Sequence, residues 1–155
     1  MDEPEDLTPL DPAYVRVLQI DAAIMGLIML ALTVPLEVLG VLPRGAFFGP
    51  MLLLVLWLVL VTPKRRYRRW GYRLSADRLQ IVRGFLFHSD TVVPLGRVQH
   101  LDVQQGPLMR RFGLSTLTVH TAGTANDSVG LPGLKHEDAL AMRETIRAKI
   151  KAAQA

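Results

Sequence analysis

The chain has 155 residues, half of them hydrophobic and 6% aromatic, which suits one modest domain or a membrane anchor with a small domain. It has no cysteine, and this excludes disulfides, thiolate metal sites and a cysteine nucleophile. The net charge of +4 is unevenly spread: residues 1–63 carry two basic and seven acidic side chains (−5), residues 64–155 sixteen and seven (+9). Nucleic acid and an anionic membrane surface are the two kinds of partner such a basic half suits.

Residues 1–16 begin with an acidic stretch, and the chain then turns apolar. From 17 to 42 the polar residues are Gln19, Asp21, Thr33 and Glu37. The uncharged interval 22–36 is short for a span, since a helix needs ~20 residues to cross the hydrocarbon. Placing Asp21 and Glu37 at opposite interfaces restores the length, and it keeps both acids near headgroups or water. Pro35 is expected to loosen the last turn of this helix. A second run, 46–62, is uncharged and dominated by Leu and Val. A core helix of a soluble protein keeps a polar face, and residues 51–61 have none. Pro43-Arg44-Gly45 and Gly49-Pro50 break the two runs into a tight hairpin. A cleaved signal peptide is not expected, because its first region should be basic, whereas residues 1–11 are acidic and a second span follows.

Lys64, Arg65, Arg66, Arg68 and Arg69 come directly after the second run, while the hairpin turn holds Arg44 alone. The positive-inside rule therefore places residue 64 onward in the cytoplasm, and two spans put the N-terminus there too. These five residues and Trp70 are the expected collar at the membrane interface. The adjoining span commits most of these charges to lipid, so nucleic acid is not an expected partner. The expected organisation is a cytoplasmic segment 1–16, a two-helix transmembrane hairpin 17–63, a juxtamembrane collar 64–70 and a cytoplasmic domain 71–155, in a plasma-membrane protein with both ends cytoplasmic.

Beyond Pro63 the apolar residues alternate. Leu79 and Ile81 share one face, as do Leu117 and Val119, the period of half-buried antiparallel strands. Turn residues divide six expected strands: 71–75, 78–83, 87–94, 98–105, 115–121 and 127–131, with a start near Tyr67 as the alternative for the first. In the fourth, Val98 falls out of phase with Leu101 and Val103, so a bulge is expected near Gln99-His100. From 135 to 151, Ala139, Met142, Ile146 and Ile150 recur at helical steps, with acids in the first turn and bases in the last. Six strands and a closing helix describe an open barrel or sandwich plugged at one end.

The run from Arg97 to Leu114, Arg-Val-Gln-His-Leu-Asp-Val-Gln-Gln-Gly-Pro-Leu-Met-Arg-Arg-Phe-Gly-Leu, resembles the bacterial pleckstrin-homology-like (PH-like) membrane proteins of the YdbS type. Leu10-Asp11-Pro12, Tyr72-Arg73-Leu74 and Val93-Pro94-Leu95 add to the resemblance, which covers nearly the whole chain. It implies two nearly orthogonal antiparallel sheets closed by a C-terminal helix, so the expected fold is a membrane α-helical hairpin plus a mainly-β PH-like domain. It brings no activity with it. It also implies, as partner, another PH-like membrane protein, a larger relative with tandem domains.

No catalytic constellation stands out. His88, His100, His120 and His136 lack metal-ligand spacing, and the serines lack a nucleophile-elbow context. His100 is expected to make a structural hydrogen bond, and Asp90 and Asp102 form an acid–base pair only if the fold brings them together. No enzyme, cofactor or metal is expected. Pro107, Leu108, Met109, Arg110, Arg111 and Phe112 form the candidate contact for lipid or a partner, an apolar wedge beside two arginines. The expected function is a non-enzymatic, membrane-anchored interaction module, serving cell-envelope maintenance or stress protection. The rivals are a sensor of anionic lipid headgroups and an accessory subunit of an envelope enzyme or transporter that uses Asp21 or Glu37.

Overall fold

A computed structural model describes residues 7–40, 43, 45–84, 88–122 and 128–154. The acids of residues 2–6, Arg44 of the hairpin turn, Phe87, the turn 123–127 and Ala155 lie outside the described residues. The chain divides into two compact units: residues up to Tyr14 together with Arg68 onward, and Val15–Tyr67.

The second unit is helical. Helix α1 is Tyr14–Val38, and α2, Phe48–Leu60, runs on almost without interruption into α3, Thr62–Arg68. α1 and the stretch Phe48–Arg68 are each long and apolar enough to cross a membrane. Only 22% and 11% of their most apolar windows are buried, so neither is a core helix of a soluble fold. Leu27, Leu32 and Leu53 are each more than two-thirds exposed, an arrangement suited to lipid tails. Inside α1, Thr33 satisfies its hydroxyl on the Leu30 carbonyl at 2.7 Å, and Gly26 lets α1 close on Val55 of α2. Pro35 does not open the last turn: the helix continues to Val38, and the Leu39 amide still donates to the Pro35 carbonyl at 3.0 Å.

The first unit holds two antiparallel sheets. One runs in the order β1 (Thr8–Pro9), β2 (Gly71–Leu74), β3 (Arg78–Gly84), β4 (His88–Pro94). The other is β5 (Val98–Gln104), β6 (Leu114–Thr121), β7 (Ser128–Lys135). A one-turn helix α4, Pro107–Arg111, lies between β5 and β6, and α5, His136–Gln154, follows β7. Alternation does what period two requires: Leu79, Ile81, Leu117, Val119 and Leu131 are fully buried while their neighbours are not. Ala139 and Ile146 bring the helical stripe of α5 into the same core. The register of β5 against β6 slips between Val98 and His100, where the bulge is expected.

Three expectations need correction. No strand begins near Tyr67, because Lys64 to Arg68 are good helix formers and extend the helix as α3. β7 runs past Leu131 to Lys135 in spite of Pro132, which an edge strand tolerates because it has no neighbour to receive an amide. The segment before the first span also contains a strand. β1 pairs Thr8 with Tyr72 and Pro9 with Gly71. Leu10 is then buried, Asp11 accepts the Ala13 amide at 2.8 Å, and the Asp11 amide donates to the Gly133 carbonyl at 2.9 Å.

Candidate functional site

The collar residues are divided between a helix and its exit. Lys64, Arg65, Arg66 and Arg68 lie on α3, Arg69 follows it, and all five are exposed. Helical continuation stacks these cations on the last turns after the apolar run instead of leaving them on an extended linker. Trp70 is half-buried. Its ring stands 6.4 Å from that of Tyr14, and the Arg83 guanidinium lies 5.5 Å from its centroid, while Arg83 Nη2 donates to the Gly130 carbonyl at 2.8 Å. Trp70 thereby belongs to the domain's own packing as well as to the collar.

The segment 107–112 is built from its sequence in a direct way. Gly106 is extended, Pro107 opens α4 at a position where a missing amide costs nothing, and Gly113 ends it at φ +66°. The Gly113 carbonyl then accepts the His136 amide at 3.0 Å, which ties this turn to the start of α5. Arg110 and Arg111 are exposed, whereas Leu108, Met109 and Phe112 are half-buried. The Thr116 hydroxyl reaches Met109 Sδ at 3.4 Å. The apolar wedge is therefore partly spent on the domain itself, and the two guanidiniums form its outward face.

The titratable residues assemble differently from the acid–base pair weighed above. Asp90 accepts from Gln80 on the first sheet at 2.8 Å, and Asp102 sits on the second, so the two do not meet. Asp102 instead stands between two imidazoles, 3.1 Å from His100 Nε2 and 3.3 Å from His120 Nε2. The contact that His100 makes is thus with the Asp102 carboxylate. The second imidazole, His120, is set by cross-strand register, which places it directly opposite His100. Sequence reasoning also missed a Ser–His contact: Ser115 Oγ lies 2.8 Å from His136 Nδ1. Ser115 is fully buried, and the pair pins the first residue of α5 to β6. Among the described residues, no group of three or more metal-ligating side chains is placed to hold an ion.

In the helical unit, the Glu37 carboxylate accepts the Gly45 amide, so this acid caps the turn between the helices. Asp21 is exposed on α1.

Two meander sheets of four and three strands, with a C-terminal helix packed into their core, define a PH-like domain carried with apolar helices. The family model described as "Bacterial PH domain" matches residues 15–150, and the chain belongs to that family. It is 27% identical over 143 residues to the "UPF0699 transmembrane protein YdbS" of Bacillus subtilis (strain 168), a match that covers 88% of each chain. No solved structure matches. The chain is thus a membrane-associated PH-like module with transmembrane helices.

Proposed function

We propose that this protein is a non-enzymatic adaptor, tethered with both ends on the cytoplasmic side and assembling with another membrane protein through its PH-like domain. One observation carries the topology. Residues before α1 and residues after α3 pair as neighbouring strands β1 and β2 of a single sheet. A hydrogen-bonded strand pair cannot have a bilayer between its members, so the chain between them crosses an even number of times. The exposed cations of α3 then orient the hairpin with its turn outside. Arg110 and Arg111, with the half-buried Leu108 and Phe112 beside them, are the face offered to the partner, which the family relationship suggests is a second PH-like membrane protein. The buried Ser115 and the carboxylate shared by two imidazoles serve the fold in this reading, and no chemistry is assigned to them.

Cross-linking in native membranes, followed by detergent capture, is the test. A specific membrane protein should be recovered, and Arg110→Ala/Arg111→Ala should reduce its yield severalfold. Repeated recovery of the chain alone overturns the adaptor reading.

A further inference from the structure

The three-stranded sheet ends on β5, which has β6 as its one neighbour, so its other edge carries main-chain groups that the ladder does not use. Among the described residues, no main-chain hydrogen bond reaches 99–104 from outside that ladder. The bulge adds to the free edge. The register passes from Val98 to His100, so Gln99 has no cross-strand partner in it, and its side chain is exposed. Val98 to Leu101 line a groove of about 300 Å³ with Arg147, Ile150 and Lys151 of α5. The described residues around it include none from β6, which puts the groove on the free side of β5. None of them is acidic, and His100, Arg147 and Lys151 are exposed.

We propose that this groove docks an extended acidic segment of the partner membrane protein, which adds to the sheet as a further strand along β5. Main-chain pairing with the free edge supplies affinity, and alternate side chains of the added strand supply specificity. Charge decides the chemistry of those side chains. Arg147 touches Glu144 at 3.3 Å, an exposed pair within one helix that is worth little and leaves most of the guanidinium donors over. Lys151 lies one turn further on, at the same groove. The acid of β5 itself, Asp102, is engaged between His100 and His120. Carboxylates of the incoming strand therefore meet cations, while the half-buried Val98 and Ile150 seat an apolar neighbour. The far end of β5 leads through Gln105 and Gly106 into α4, so a strand laid along this edge runs on toward Arg110 and Arg111. The inference rests on the adaptor reading and deepens it, because it states what the partner presents and how it is held.

The test uses the full chain in uncharged maltoside micelles at low salt, with a fluorescein-labelled heptapeptide that alternates Glu and Val. Saturable binding by fluorescence anisotropy is expected, together with slowed amide exchange across β5. Two further peptides carry N-methyl groups on the Glu amides or on the Val amides. A strand turns one of these sets toward its neighbour, so one peptide should bind at least about tenfold more weakly and the other should bind normally. Arg147→Glu/Lys151→Glu should weaken binding by about tenfold, and a Lys–Val heptapeptide should not bind. Equal binding of both methylated peptides, or unchanged exchange in β5, overturns strand addition. Unchanged binding in the double variant, or none to the native chain, overturns the groove. Sedimentation as a dimer with β5 already protected overturns it too, since a second copy then holds the edge. The same double variant is cross-linked in native membranes, where it should yield severalfold less partner. Full recovery of the partner from that variant removes the groove and leaves the adaptor standing, whereas recovery of no partner from the native chain is the failure of the adaptor reading.

Discussion

Single residues bear unequal loads in this fold. Gly133 sits at φ +72°, and a methyl there would lie 2.6 Å from Cγ of Tyr14, so backbone and packing both require glycine. Gly133→Ala should cost about 2 kcal/mol or more, seen as a lowered midpoint in thermal unfolding of the detergent-solubilised protein. Tyr72 shows a chemical effect. Burial chiefly, and the Asp138 carboxylate second, raise its phenol above the ordinary 10.0. The fold therefore favours the neutral phenol: this stabilisation is complete below pH 10, and it is lost as pH climbs through the raised value. In carbon-13 tyrosine spectra Tyr72 should ionise above pH 10, and Asp138→Asn should lower its pKa only partly, because burial is the larger cause.

At the scale of elements, legibility followed the strength of the local pattern. The helical runs, the Leu79/Ile81 and Leu117/Val119 alternations and the slip near His100 were readable because each leaves a periodic or interrupted trace in adjacent residues. β1 was not. It is two residues long, one of them proline, and it forms only because β2 provides partners 62 and 64 residues further along. The same limit hid His120 beside Asp102 and Ser115 beside His136, which meet through strand register and helix placement. It also blurred the segment 107–112, whose amphipathic turn is equally compatible with a buried or an exposed wedge until β6 supplies Thr116 to Met109. Two predictions belong here. Leu10→Ala removes a buried side chain next to this short strand, and should cost about 2–5 kcal/mol, measured by urea unfolding. Gly26→Leu forces a side chain into Val55 and should splay the helix pair, lowering the cross-linking yield between cysteines introduced on α1 and α2. Gly26→Ala combined with Val55→Ala should restore it.

For the molecule as a whole, the proposed topology makes a direct prediction. The natural chain has no cysteine, so single cysteines placed near either end report without background. Both should resist a membrane-impermeant thiol reagent in intact cells and react after lysis. Neutralising Lys64, Arg65 and Arg66 to Gln should produce mixed orientation, since these cations set which side the hairpin enters from. The β1–β2 pairing has a further consequence for biogenesis. A ribosome completes Thr8–Pro9 well before Gly71, so the leading strand must wait, unpaired, while both apolar helices are delivered to the insertion machinery. In the proposed topology the doubled-back helices return the polypeptide to its starting side, so that insertion offsets part of the closure entropy of a ring of some sixty residues. In that topology, a chain whose second helix failed to enter would leave β1 and β2 on opposite sides of the bilayer, and the strand pair could not form.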